Sequence, residues 1–117
     1  MEIEVLMKCN EIFQRLGWEV SREEKIDCYN YRFDLILRYN GKVYGYAEVV
    51  DKNNIQEKAK VLNTAIKSFL NEHKPPVFFI TNGFAFDLYI SGELYGCLTV
   101  PPTPEEVELL FGGDTNE

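Results

Sequence analysis

The chain has 117 residues, 45% apolar and 14% aromatic, enough to build one small domain around its own core. Its 19 acidic residues outnumber 12 basic ones for a formal charge of -7, which excludes a broad basic field; any nucleic-acid contact must be local or bridged by a divalent cation. Three cysteines, Cys9, Cys28 and Cys97, are an odd number without CxxC spacing, which argues against a disulfide framework and a zinc ribbon and fits a reducing cytosol.

Residues 2 to 16 carry Ile3, Leu6, Met7, Phe13 and Leu16 at helical spacing, and Gly17 is a natural stop. This opening, "MEIEVLMKCNEIF", is amphipathic and acidic, unlike a basic-then-apolar leader, and no apolar run approaches the roughly 18 residues of a membrane span. The expectation is therefore a soluble, cytoplasmic protein with no membrane partner. A short strand at "WEV" is followed by "SREEKIDCYNY", whose charges and lack of period predict a loop or irregular edge. "RFDLILRY" and "KVYGYAEVV" flank Tyr39-Asn40-Gly41-Lys42 and predict a hairpin. Ile55, Ala59, Leu62, Ile66 and Phe69 predict a long helix over 55–73, capped by Asn53 or Asn54 and stopped by His73-Lys74-Pro75-Pro76. "VFFIT", "FAFDLYI" and "LYGCLTV" predict three short strands, joined by turns at Asn82-Gly83 and Ser91-Gly92. In "TPEEVELLF", Thr103 at the N-cap, Pro104 at the first helical position and Glu106 at the capping-box position predict a short closing helix. The organisation expected is one domain over 1–111 with a frayed tail over 112–117, without repeats or linkers.

The hairpin register decides which side chains share a face, since a slip of one residue exchanges the faces. A two-residue Asn40-Gly41 turn pairs Tyr39 with Lys42 and puts Asp34 and Glu48 on opposite faces. A three-residue loop with Gly41 left-handed in a bulge pairs Arg38 with Lys42 instead. Phe33, Leu35, Leu37 and Tyr39 then join Val43, Gly45, Ala47 and Val49 on one apolar face, and Asp34, Ile36 and Arg38 join Lys42, Tyr44, Tyr46 and Glu48 on the other. The second register gives the one wholly apolar face and is the one expected. Two carboxylates converging from neighbouring strands suit a hard divalent cation, Mg²⁺ or Mn²⁺, with positions left for water and a phosphate; solvated carboxylates on a polar sheet face are the competing reading.

Asp34, thirteen intervening residues and Glu48 after a hairpin resemble the D...(D/E)xK motif of the PD-(D/E)xK nuclease superfamily. "LGW" at 16–18, "YRFDLILRYNGKVYGYAEV" at 31–49 and "PPVFFITNGFAFDLYIS" at 75–91 resemble the N-terminal nuclease domain of type I restriction enzyme R subunits, over roughly residues 3–92. The resemblance implies an α/β, restriction endonuclease-like α-β-β-β-α-β core with a mixed sheet, to which this chain adds C-terminal hairpin strands and a short C-terminal helix. It also implies Asp34 and Glu48 as catalytic metal ligands, Glu4 of the first helix as a third acidic ligand, and DNA as substrate. The family's lysine, two residues after the glutamate, is here Val50. Lys52 lies one same-face step further, about 6.6 Å along a strand; it is the candidate to take the charge-stabilising role, against the alternative of a solvated loop charge. Phe33 replaces the proline common before the first acidic residue, and the family's helix glutamine has only Gln56 or Asn63 as stand-ins.

The lone His73 at a helix C-terminus reads as structural. Tyr29, Tyr31, Tyr39, Tyr44, Tyr46, Phe84 and Phe86 carry faces that stack on bases, yet aromatics in strands more often pack the sheet. Lys58, Lys60 and Lys67 form a modest basic face. Three functions follow: a Mg²⁺-dependent DNA nuclease using Asp34, Glu48 and Lys52; an inactive nuclease-fold module that binds nucleic acid; or a domain for protein assembly through the aromatic edge around 84–98. The family implies action as a homodimer or within a larger assembly.

Overall fold

The computed structural model describes residues 3–26, 31–50 and 64–111. Helix α1 (Ile3–Arg15) buries Val5, Leu6, Cys9 and Phe13 along one stripe. It ends where Gly17 adopts φ 111°, with the Gly17 N–H bonded to the Gln14 carbonyl at 3.0 Å and the Trp18 N–H to the Phe13 carbonyl at 3.1 Å. This pair of crossing bonds is the Schellman motif, which needs a residue tolerant of positive φ at that point. Trp18 Nε1 then donates to the Pro102 carbonyl at 3.1 Å, tying "LGW" to the C-terminal segment.

Strands β1 (Glu19–Ile26), β2 (Tyr31–Tyr39), β3 (Lys42–Val49), β4 (Val77–Thr81), β5 (Phe86–Ile90) and β6 (Glu93–Leu98) form one mixed sheet in chain order. All neighbours are antiparallel except β3 and β4. A parallel pair needs a crossover, and helix α2 (Thr64–His73) lies in it. The N-terminal part of the expected 55–73 helix, with Lys52, Asn53, Asn54, Gln56, Lys58, Lys60 and Asn63, lies outside the described residues. Among the described residues no helix is long and apolar enough to cross a membrane.

The loop expected from Ser21 is instead strand as far as Ile26, paired from Glu19↔Arg38 to Ile26↔Tyr31. The missing apolar alternation is explained by position: β1 is one of the two outer strands, where charged side chains discourage pairing with other chains.

Apolar clusters cover both faces of the sheet. The first joins Val5, Leu6, Cys9 and Phe13 of α1 to Leu35, Leu37, Tyr44, Ala47, Val49, Val77, Phe79, Phe86 and Leu88, with Val107 from the closing helix. The second joins Phe69 and Leu70 of α2 to Phe33, Ile36, Val50, Phe78 and Ile80. Helices on both sides explain why every residue of β4 is buried.

The β2–β3 hairpin corrects both the expected loop and the expected register, which would have put Leu37 opposite Val43, and keeps only part of the expected sharing of faces. Asn40 (φ 53°) and Gly41 (φ 76°) make a two-residue turn, pairing Tyr39↔Lys42 and Arg38↔Val43 rather than Arg38 with Lys42. A bulge at Tyr44 then shifts the phase, so that Leu37↔Gly45, Ile36↔Tyr46 and Leu35↔Ala47 share faces as expected. Val43 consequently packs on the second cluster, and Tyr44 lies in the first, its ring 6.1 Å from Trp18 and its hydroxyl donating to Glu108 Oε2 at 3.0 Å. The β5–β6 hairpin repeats the device. Ser91 (φ 51°) and Gly92 (φ 89°) form the turn, and Tyr95 is the extra residue between Tyr89↔Leu94 and Leu88↔Gly96. Residues 40–45, "NGKVYG", and 91–96, "SGELYG", are thus a short repeat, where none was expected.

Helix α3 (Pro104–Phe111) starts on the predicted capping box: the Glu106 N–H donates to Thr103 Oγ1 at 3.1 Å and the Thr103 N–H to Glu106 Oε1 at 2.9 Å.

Candidate active site

The β2–β3 ladder closes at Leu35↔Ala47, and Asp34 and Glu48 are the next residues along their strands. There the backbone pairing opens. Phe33 belongs to the second cluster while Leu35 and Leu37 belong to the first, so the alternation of β2 breaks at Asp34. The next β3 amide, that of Val49, donates to Asp34 Oδ2 at 2.8 Å. A side-chain carboxylate therefore stands where a ladder carbonyl would stand, against the peptide that follows Glu48. Glu48 itself is only 3% exposed. A carboxylate so far from bulk water demands hydrogen-bond or ionic compensation.

Val50 follows the strand, its N–H bonded to the Thr81 carbonyl at 2.9 Å and its side chain in the second cluster with Phe69 and Ile80. The position two residues after Glu48 is thus filled by a core residue.

Thr81, paired with Val49, begins the "TNG" turn. The Gly83 N–H donates to Thr81 Oγ1 at 3.0 Å, and the Phe84 and Ala85 amides both donate to Asn82 Oδ1 at 2.9 Å. The motif is a self-capped Asx turn that fixes the loop at this end of the sheet. Helix α1 lies over it: Cys9 Sγ is 4.0 Å from Thr81 Oγ1, and the Lys8 ammonium sits 3.3 Å from the Phe84 ring centroid. Burial pushes the Cys9 thiol up to about 11; the Asp34 charge adds to this, and Thr81 and Lys8 oppose it. Cys9 is therefore a thiol at neutral pH, packing against Thr81.

Glu4 is exposed on α1. Among the described residues no group of three or more His, Cys, Asp or Glu side chains could hold a metal ion, so Glu4 forms no such triad with Asp34 and Glu48. His73 is exposed, its ring 4.9 Å from Phe69. Asp87 was missed by the reading of the sequence. It is 8% exposed and pairs with Ile80, which pairs with Glu48, so Asp87 and Glu48 flank Ile80 in one row across β5, β4 and β3. Its signal was a charge inside the apolar strand "FAFDLYI". Burial and then the neighbouring Asp87 carboxylate push the Cys97 thiol up.

The chain matches no family model and no curated protein. It is similar to a chain in a cryo-electron-microscopy structure of a DrdV–DNA complex. The TM-score is 0.51 at 15% sequence identity, covering 81% of this chain. At that identity the likeness is one of fold. The match occupies 9% of the other chain's length, so this fold is there a small part of a much larger protein.

Proposed function

We propose that the chain is a nuclease-like domain of the PD-(D/E)xK type, hydrolysing a DNA phosphodiester with Mg²⁺ or Mn²⁺ held by Asp34 and Glu48. The observation that carries this reading is the opened end of the β2–β3 ladder, where the Asp34 carboxylate meets the peptide after a buried Glu48. The fold likeness to a chain of a DNA complex supports DNA as the partner. Two hard oxygen donors fit the cation, since Mg²⁺ is commonly held by one or two carboxylates, with water and substrate phosphate completing its shell. Bound there, the cation supplies Lewis-acid polarisation of the phosphate and an activated water. Asp34 and Glu48 position it, and the apolar surroundings formed by Val49 and Val50 limit water around it.

Nicking of supercoiled plasmid tests this reading. Relaxed product is expected with Mn²⁺ or Mg²⁺ and is expected to vanish with EDTA; no nicking, or nicking that resists EDTA, contradicts it.

A second reading, an inactive nuclease-fold module, is favoured by Val50, which fills the lysine position with a side chain buried against Phe69 and Ile80. On that reading the protein binds DNA or a protein partner without cleaving. A partner surface is offered by β6, the outer strand opposite β1, with exposed Leu94 and Tyr95. Pairing along such an edge suits a homodimer or a larger assembly.

A further inference from the structure

Phe84 and Tyr95 depart from the other strand and turn aromatics in being largely exposed, and Phe84 is the one at the end of the sheet that carries Asp34 and Glu48. Tyr44 and Phe86 are buried, and Tyr46 packs 4.7 Å from Phe33, but Phe84 is 62% exposed. Single exposed apolar residues are ordinary on a protein surface. Phe84 differs in being held in place: its own amide and that of Ala85 are bonded to Asn82, and the Gly83 amide to Thr81. It also carries a cation. The stem of Lys8 runs past Gly83, where a Cβ would come within 3.3 Å of Lys8 Cδ, and the ammonium ends 3.3 Å from the ring centroid. Among the described residues Lys8 makes no ion pair with a carboxylate. Thr81, which begins this turn, pairs with Val49, whose amide Asp34 accepts, so the aromatic and the cation stand at the sheet end that carries Asp34 and Glu48.

We propose that Lys8 and Phe84 form a nucleotide grip at this end of the sheet: the Phe84 ring stacks on an unpaired base while the Lys8 ammonium takes the neighbouring phosphate. A ring stacks on a base face only when that base has left the duplex stack, so the substrate class is single-stranded or locally unpaired DNA rather than intact duplex. The charge of the chain agrees. At -7 a long phosphate track is unfavourable, whereas stacking is indifferent to net charge and one ammonium is a local contact. The inference names the substrate of the proposed nuclease site and rests on that reading, but its test needs neither metal nor cleavage.

The test is fluorescence anisotropy of a labelled oligothymidylate, and of a duplex of equal length, in EDTA. The single strand is expected to bind more tightly than the duplex. Phe84→Ala is expected to weaken single-strand binding about tenfold, and Phe84→Tyr to preserve it. Lys8→Met keeps the packing stem and removes the charge; it is expected to lower affinity and flatten the log–log salt dependence by about 0.7. Phe84 and the Lys8 ammonium lie outside the apolar core, so these variants are expected to keep the natural circular dichroism spectrum and melting temperature. Unchanged affinity in Phe84→Ala, preference for the duplex, or no binding by the natural protein overturns the proposal. Oligonucleotide binding in a protein that takes up no Mn²⁺ supports the grip and overturns the nuclease reading instead.

Discussion

Glu48→Ala is expected to abolish Mn²⁺-dependent nicking while leaving the protein folded. A cation acting as Lewis acid contributes several kcal/mol to phosphodiester hydrolysis. Each ~1.4 kcal/mol is a factor of ten, so the loss is expected to exceed about a hundredfold. Glu48 is buried beside Ile80 and Val49, so alanine also leaves space in the sheet. Glu48→Gln separates the two effects: it keeps the shape, removes the charge, and is expected to lose nicking with little change in melting temperature. Nicking by either variant at the natural rate removes Glu48 from the chemistry.

The second large effect is on the fold. Gly45→Ala is expected to destabilise the protein by about 3 kcal/mol, near the upper end for overpacked sites. A Cβ at Gly45 would lie 2.3 Å from the Val77 carbonyl oxygen and 2.5 Å from Val77 Cγ2. Gly45 and Val77 are partners in the parallel β3–β4 pair, so the obstacle is backbone and no rotamer change relieves it. The requirement is for space, and it falls where the bulge returns β3 to register with β2. Thermal unfolding is expected to show a melting temperature lower by roughly 10 °C; an unchanged value contradicts this account of the β3–β4 contact.

What could be read from the chain follows how local each signal is. The α3 capping box and the Gly17 stop are set by residues within a few positions of one another, and both are present as expected. The mixed sheet with its closing hairpin was legible for the same reason, from turn residues and apolar runs. Strand β1 was not, because its pairing is decided by distant β2 and its charged surface by its place at the edge. The hairpin lies between these cases. Asn40-Gly41 signals the tight turn that forms, but the bulge at Tyr44 depends on the ring reaching Trp18 and Glu108 across the fold. At the candidate site, Asp34 and Glu48 were singled out from spacing and likeness. The opening of the ladder at Asp34, the carboxylate of Asp87 and the exposed setting of Phe84 needed three-dimensional neighbours.

Calorimetric titration of Mn²⁺ into the natural protein and Asp34→Asn tests the central claim most directly. The substituted amide retains an oxygen to accept the Val49 N–H, so the strand opening survives while one negative charge is lost. The account predicts saturable Mn²⁺ binding by the natural protein and its loss in the variant. Equal binding by both, or none by the natural protein, would mean that Asp34 and Glu48 do not form a cation site.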